Sequence, residues 1–280
     1  MGHAISILIV AYNGVEDLAA CLAPIAKDFP VVVIDNSSNP QVRRAVEEHG
    51  AQYVDSGANI GFAAGVNLGA QHIDPSHDIL LLNPDAVIEP AIVSILHGAL
   101  RSDAGLAAVT GRLTSADGTE ERVGWPFPTP GRMWLEALGL ARFAPAPTEF
   151  VIGATLLLRR EALDDVGALD ERFFLYAEET DWQRRASQRG WAFRVVTNAV
   201  ARHRGAGTSA DQDQRERLFH AGTETYIRKW FGAGGWANYR IAALSGAAIR
   251  SILGTDPGRR QARRRFRLYL RGPRRAAALP

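Results

Sequence analysis

The chain has one cysteine, two lysines among 32 basic residues, and no uncharged apolar run long enough to cross a bilayer. A lone Cys21 cannot form an internal disulfide, which excludes a fold stapled by cross-links. A spanning helix needs roughly 20 apolar residues, so none is expected. No charged n-region with an apolar core and a small-residue cleavage site precedes the first strand-like run, and a cytoplasmic location is the expectation. With Lys27 and Lys229 the only lysines, cationic chemistry falls to arginine, a bias that genomic composition alone could also produce. Neither a G-x-G-x-x-G turn nor a Walker lysine is present.

What is present suits a folded α/β protein. At 280 residues, 46% of them hydrophobic, the chain can bury one large core or two modest ones, and disorder as the dominant state is excluded. The net charge of +2 hides an asymmetry: Arg240 to Pro280 carries eleven arginines against one acid, Asp256, while the preceding part is mildly acidic.

The organising stretch is Ile79-Leu80-Leu81-Leu82-Asn83-Pro84-Asp85. An apolar run without alternation suits a parallel strand covered on both faces, and Pro84, which cannot donate to a ladder, should end the pairing. Asp85 is thereby presented at a strand end, the edge where open α/β sheets bind ligands and where a metal-bound phosphate could sit. Around it, Ile5–Ala11, Val31–Ile34 and Ala51–Val54 read as strands alternating with helices over 15–25 and 42–49, which implies right-handed βαβ units. Helices are expected over 91–100, 160–166, 180–188 and 215–230, and strands over 106–113, 151–159 and 192–196. The Pro- and Gly-rich section 118–148 reads as a long loop around one short helix near Met133–Leu140. The division expected is a domain over 1–210, with halves of about 1–113 and 114–210, followed by a helical Arg-rich extension over 211–280.

Three constellations carry polar chemistry. Tyr12-Asn13, Asp35-Asn36 and Asn83-Pro84-Asp85 should share one edge of the sheet, although any single acid after a strand is an ordinary turn former. The series Gly61, Gly65, Gly69 fits either a phosphate-binding turn or a small-faced helix packed tightly on the sheet. Phe173-Phe174-Leu175-Tyr176-Ala177-Glu178-Glu179-Thr180-Asp181 sets aromatics before three acids. One acid would cap a helix; three exceed that need, and a carboxylate beside aromatic walls could serve as a general base. The last, Arg202-His203-Arg204 and the glycines after it, suits a phosphate-facing turn, with His203 offered to the same cation as Asp85.

In this order and spacing, Ser6–Asn13, Val33–Ser38, Asn59–Asn67, Leu81–Asp85, Gly153-Ala154 before Arg159-Arg160, and Phe173–Asp181 resemble glycosyltransferase family 2, the inverting GT-A fold enzymes, and within it the rhamnosyltransferase-like branch. The resemblance covers about Ile5 to Ser209. It implies that Ala11, Tyr12, Asn13 and Asp35 hold the base and ribose of a nucleotide sugar, and that Asn59, Gly61, Phe62 and Asn67 line its nucleotide and diphosphate side. Asn83-Pro84-Asp85 stands in place of the family's D-x-D motif, with Asp85 the metal-binding acid and Asn83 where the first acid would be. Glu179 matches the base; Glu178 and Asp181 would orient it or bind acceptor. The implied cofactor is Mn²⁺ or Mg²⁺, and the implied reaction moves a sugar, L-rhamnose from dTDP-rhamnose, from a dTDP- or UDP-sugar to a glycan or lipid-linked saccharide. Apolar residues among the C-terminal arginines (Phe266, Leu268, Tyr269, Leu270) point to an anionic membrane surface, at the inner face of the plasma membrane, and not to nucleic acid. A noncatalytic nucleotide-sugar binding protein is the rival from another class. A sugar nucleotidyltransferase is a second, disfavoured by the acidic 12–17 segment.

Overall fold

The computed structural model describes residues 4–204 and 212–277, so the turn expected over 205–209 and the expected boundary at 210 lie outside the described residues. The chain clusters into two units, one of 1–125, 148–171 and 178–210, the other of 126–147, 172–177 and 211–280.

The first unit is built on a mixed sheet. β1 (Ile5–Ala11), β2 (Val31–Asp35), β3 (Gln52–Asp55) and β4 (Asp78–Leu82) pair in parallel in the order β3-β2-β1-β4, linked by α1 (Val15–Leu22), α2 (Pro40–Glu48) and α3 (Phe62–Ala70). Every residue of β2 and β4 is buried, as continuous apolar runs require when helices cover both faces. Alternate residues feed opposite layers: Ile7, Ile9, Val33 and Leu80 face Leu18, Leu22, Val42 and Val46. Leu8, Ile34, Ile79 and Leu81 face Val66, Ala162 and Trp182. Helix starts follow capping chemistry, as at α2, where Pro40 occupies the first turn and the Asn39 side chain accepts from Gln41 N.

Beyond β4 the sheet changes direction. β10 (Thr155–Leu158) runs antiparallel between β4 and β6 (Leu106–Thr114), and β11 (Ala192–His203) lies parallel to β6. β5 (Ala86–Val87) closes antiparallel on the end of β11, and β7 (Glu120–Glu121) pairs β6. β8 (Gly124–Trp125) and β9 (Phe150–Val151) form a separate ribbon. The helices α4 (Pro90–Arg101), α6 (Arg160–Val166) and α7 (Glu178–Ser187) complete the unit. Pairing does stop at Pro84. β11, expected to end at Val196, runs to His203 because register shifts at 192/193 and between Val196 and Val200 let it follow β6.

At the start of β4 the buried Asp78 carboxylate accepts from Arg101 and, at 3.1 Å, lies against His97 Nε2. Burial alone would raise its pKa; those partners and the Arg160 N–H outweigh it and hold the carboxyl below the usual range. Arg159, in turn, donates to the carbonyls of Leu106, Leu100 and Asp103.

The second unit is helical: α5 (Pro130–Ala137), α8 (Gln212–Leu253), α9 (Asp256–Arg271) and α10 (Pro273–Ala277). The helix expected over 215–230 extends to Leu253, broken by a non-helical Gly232 at φ 67°. Segments 126–147 and 172–177 group with these helices, not with the sheet as a 1–210 domain would have it. The cause is apolar: Met133, Ala137 and Phe173 are buried with Tyr226, Ile227, Trp236 and Tyr269. Among the described residues no helix is long and apolar enough to cross a membrane.

Two of the three glycines, Gly65 and Gly69, resolve as packing. A Cβ at position 69 would lie 2.2 Å from Leu8 Cδ1, and one at position 65 would lie 2.8 Å from Val10 Cγ1, so α3 rests directly on β1. Alanine in a helix gains about 1 kcal/mol over glycine, while overpacking a core costs about 1–3 kcal/mol. Since Leu8 is itself buried among core residues, the second effect dominates at Gly69. Gly69→Ala is expected to lower the unfolding free energy by about 1–2 kcal/mol in urea denaturation.

Candidate active site

The parallel register puts the ends of β1 and β2 side by side, Ala11 opposite Asp35. Asp35 is fully buried and its carboxylate is occupied: Oδ1 accepts from Ser37 N (2.8 Å) and Ser37 Oγ (2.5 Å), Oδ2 from Asn39 N (3.0 Å) and Tyr53 Oη (3.0 Å). Two donors on each oxygen fill its lone-pair capacity, so Asp35 organises the loop and is not open to accept from a pyrimidine. That loop holds Asn13, whose N–H donates to Ser37 Oγ and whose Oδ1 accepts from Asn39 Nδ2. The Ala11 carbonyl accepts from Asn36 N at 2.8 Å, and Tyr12 is 41% exposed beside it. Asn36, read in the sequence only as part of the Asp35-Asn36 strand end, donates from Nδ2 to Gly61 O across to the start of α3. Asn59 Oδ1 accepts from Gly61 N, and Phe62 opens the helix half-buried. Ala11, Tyr12, Asn13, Asn59, Gly61 and Phe62 therefore share the edge that β1 and β2 define. Asn67 does not: its amide binds Leu169 N, Leu169 O and Glu171 Oε1, tying α3 to the 169–171 loop.

At the end of β4 the ladder continues through Asn83, whose N–H donates to Ala154 O at 3.0 Å. Three residues on, β5 pairs β11 with His203 opposite Ala86, which sets His203 Nε2 3.4 Å from Asp85 Oδ1. The other ring nitrogen, Nδ1, lies 3.1 Å from Glu121 Oε2. Glu121 went unmarked in the sequence because β7 is two residues long and carries no motif. Burial lowers the His203 pKa, but hydrogen bonds and charge from Asp85 and then Glu121 outweigh it and raise it to about 9.

Asp85 and His203 Nε2 face each other, and Glu121 on Nδ1 is the carboxylate–histidine support that fixes a ligating tautomer. Among the described residues no three acids, histidines or cysteines gather as a metal-binding group. The residues fit a cation held by few protein groups, leaving positions for phosphate oxygens, as hard cations in such sites favour.

Glu178 and Glu179 open α7. Glu178 is buried, and Glu179 keeps partial solvent access. Burial raises both carboxyls, and the Glu179 charge adds to the rise at Glu178. Glu178 hydrogen-bonds to Glu179, and the Gly153 N–H donates to Glu179 Oε1 at 3.0 Å, both of which favour Glu179 as the ionised member. The fit at Gly153 is tight, since a Cβ would lie 3.0 Å from that oxygen and 3.2 Å from the carboxyl carbon. Gln183, one turn on, clamps the same segment by bonding Val151 N and O. Asp181 points elsewhere: fully buried, it pairs with Arg185 at 3.1 Å and does not extend the acidic pair.

One run of bonds thus joins the parts: Asn83 to Ala154, Gly153 to Glu179, Ile152 N to Val123 O, and Glu121 through His203 to Asp85. A sheet of this topology, with polar groups gathered past the ends of β1, β2 and β4, defines a GT-A fold of the nucleotide-diphospho-sugar type. The family model described as "Glycosyl transferase family 2" matches residues 6–167, and the chain belongs to that family. Among curated relatives, the low-salt glycan biosynthesis hexosyltransferase Agl10 of Haloferax volcanii is 27% identical over 191 residues, 65% of this chain. The chain spans 61% of that relative's length. An N-acetylglucosaminyl-diphospho-decaprenol L-rhamnosyltransferase of Mycobacterium tuberculosis is 25% identical over 95% of this chain and 97% of its own. The crystal structure of glucosyl-3-phosphoglycerate synthase from Mycobacterium tuberculosis with Mn²⁺, UDP and glucosyl-3-phosphoglycerate superposes with a TM-score of 0.58 at 18% identity, covering 81% of this chain and 80% of that one.

The raised carboxyls make a stability statement. A carboxyl raised in the folded state contributes most below its unfolded pKa, and the contribution is lost as pH rises through the folded value. Glu178→Gln, which keeps a donor toward Glu179 and removes the charge, is expected to melt above the wild type at pH 8. The gap should close as pH falls toward 4.5, the ordinary glutamate value, in calorimetric scans.

Proposed function

We propose that the protein is an inverting glycosyltransferase that takes its sugar from a nucleotide sugar, with a UDP or dTDP leaving group, and delivers it to a hydroxyl of a glycan or lipid-linked saccharide. The observation that carries this reading is the bonded run at one sheet edge, which links the acid pair opening α7, through Gly153, to the Asp–His pair held by β5 and β11. The Mycobacterium relative, aligned over 95% of the chain, supports L-rhamnose as the sugar and a diphosphate-linked lipid saccharide as the acceptor. Residues at the β1 and β2 edge (Ala11, Tyr12, Asn13, Asn59, Gly61, Phe62) are proposed to receive the nucleotide, with Asp35 and Asn36 holding their loops and Asn83 beside the diphosphate.

Inversion needs one displacement, with a base on one face of the anomeric carbon and a stabilised leaving group on the other. Glu179 is proposed as the base: it is the member of the pair that the Gly153 N–H and Glu178 keep ionisable, and it retains solvent access. Glu178 holds a proton against it and orients it. Asp85 and His203 would hold Mn²⁺ or Mg²⁺, with Glu121 fixing the imidazole. A divalent cation, when bound there, offsets charge developing on the departing diphosphate. The C-terminal helices are proposed to meet an anionic membrane surface. Ile252 (69% exposed) and Leu253 (79% exposed), just ahead of the arginines of α9, support that contact.

Two outcomes test the roles separately. Glu179→Gln is expected to lower kcat by about 10²–10⁴ while UDP affinity is kept, measured by turnover and by calorimetry; near-normal turnover would remove the assignment. Glu121→Gln is expected to weaken Mn²⁺ binding by about 10–100-fold in calorimetric titration with UDP present, the usual effect of removing a carboxylate behind a ligating histidine.

A further inference from the structure

Within the helical unit, an open groove of about 590 Å³ lies between α8 and α9–α10. Arg217 of α8 faces Arg264, Arg267 and Arg271 of α9 and Arg275 of α10, with Leu268 on the floor. The α9 arginines recur at intervals of three and four residues, which stacks them on one helix face. Two acids also border the groove, and both are engaged: Asp213 with Arg264 at 2.7 Å, Glu216 with Arg265 at 2.7 Å. Among the described residues Arg267, Arg271 and Arg275 have no carboxylate partner, and Arg217 bonds only the Asp213 carbonyl, at 3.2 Å. Arg271 and Arg275 reach further, lining a second cavity of about 190 Å³ with Arg228 and Arg240. Arg240 is fixed there by donating to the carbonyls of Tyr269 and Leu270 at the end of α9.

Arginines that outnumber the acids around them, with Asp213 and Glu216 already paired, leave a positive potential that the fold does not itself neutralise, and guanidinium forks match phosphate oxygens. We propose that this groove is a diphosphate-binding site. A single phosphate diester would leave most of the array unpaired; a diphosphate presents two sets of oxygens to arginines on facing helices. The volume lies within the range of small-ligand sites. Single-stranded nucleic acid is the poorer occupant, because no aromatic platform for base stacking is among the lining residues. The groove is made from residues other than Asp85, His203 and Glu179, so the diphosphate it takes is a second one, distinct from the donor's. Identifying it with the acceptor's lipid diphosphate rests on the transferase reading; the site itself does not.

The full chain is titrated with inorganic pyrophosphate in EDTA, which removes any metal-dependent binding. It is also floated with phosphatidylcholine vesicles containing a polyprenyl diphosphate or, separately, phosphatidylglycerol. Pyrophosphate should bind the wild type at least about tenfold more tightly than Arg267→Ser/Arg271→Ser, a difference near 1.4 kcal/mol. Glu179→Gln should bind pyrophosphate like the wild type, and the double variant should keep UDP and Mn²⁺ binding, so failure here is distinct from failure of the transferase reading. Flotation with the polyprenyl diphosphate assigns the ligand to a lipid carrier; titration without flotation assigns it to a soluble diphosphate. Equal affinity in wild type and variant, or no binding of either probe, would overturn the proposal. Should the double variant fail to fold, Arg217→Ser on the exposed face of α8 gives the same comparison.

Discussion

The site depends on one strand running against its neighbours. β10 pairs β4 antiparallel, with Thr155 opposite Leu82, so the residues that precede β10 must meet the residues that follow β4. Had β10 run parallel, its entry would lie at the far edge of the sheet. The antiparallel register instead delivers Gly153 and Ala154 to Asn83, and Gly153 carries the N–H that anchors Glu179. The β5–β11 pairing acts in the same way on the other side, since His203 opposite Ala86 fixes the imidazole one residue from Asp85. Chemically important groups are thus set by ladder register, which is stiff, and only secondarily by loops.

Charge is arranged around that frame by burial. Exposed pairs such as Arg44–Glu48, with both side chains more than half accessible, are screened by solvent and contribute little. The buried groups matter more because each must be matched. Asp78, at the closed edge of β4, is matched by Arg101, His97 and a backbone N–H, and its role is structural. At the open edge the matching is incomplete by design of the sequence: Glu178 Oε2 and Asn36 Oδ1 are buried with no hydrogen-bond partner among the described residues. Unmatched acceptors cost stability, of order 1–3 kcal/mol each, and such costs gather where a ligand completes the bonding.

How much was legible in the sequence follows from which forces set each feature. The parallel half and the end of β4 at Pro84 could be read because apolar periodicity and strand-end polarity are local signals. Asp35 and Asn67 were legible as polar residues at functional-looking positions, yet their side chains are consumed by loop and helix contacts. Asn67 reaches residues more than a hundred positions away, which no spacing reveals. Glu121 and the role of Gly153 were hidden for the opposite reason: one sits on a two-residue strand, and the other, though part of a motif, acts through its backbone N–H. The glycines of α3 were ambiguous until their distance from β1 was known, since close packing and anion binding ask for the same residue.

The helical unit was least legible because its cohesion comes from three distant segments. Phe173 and Ala177, sequence neighbours of the acidic pair, pack with Met133 and the α8 aromatics. The short connection into α7 then imposes left-handed backbone on two non-glycine residues in succession, Tyr176 at φ 69° and Ala177 at φ 72°. Each such residue costs about 1–2 kcal/mol, so the pair persists only because its surroundings over-determine it. The burial of Phe173, contributing roughly 1.5–3 kcal/mol, and the edge contact of Tyr176 with Phe219 at 5.8 Å are of the size needed to offset that strain.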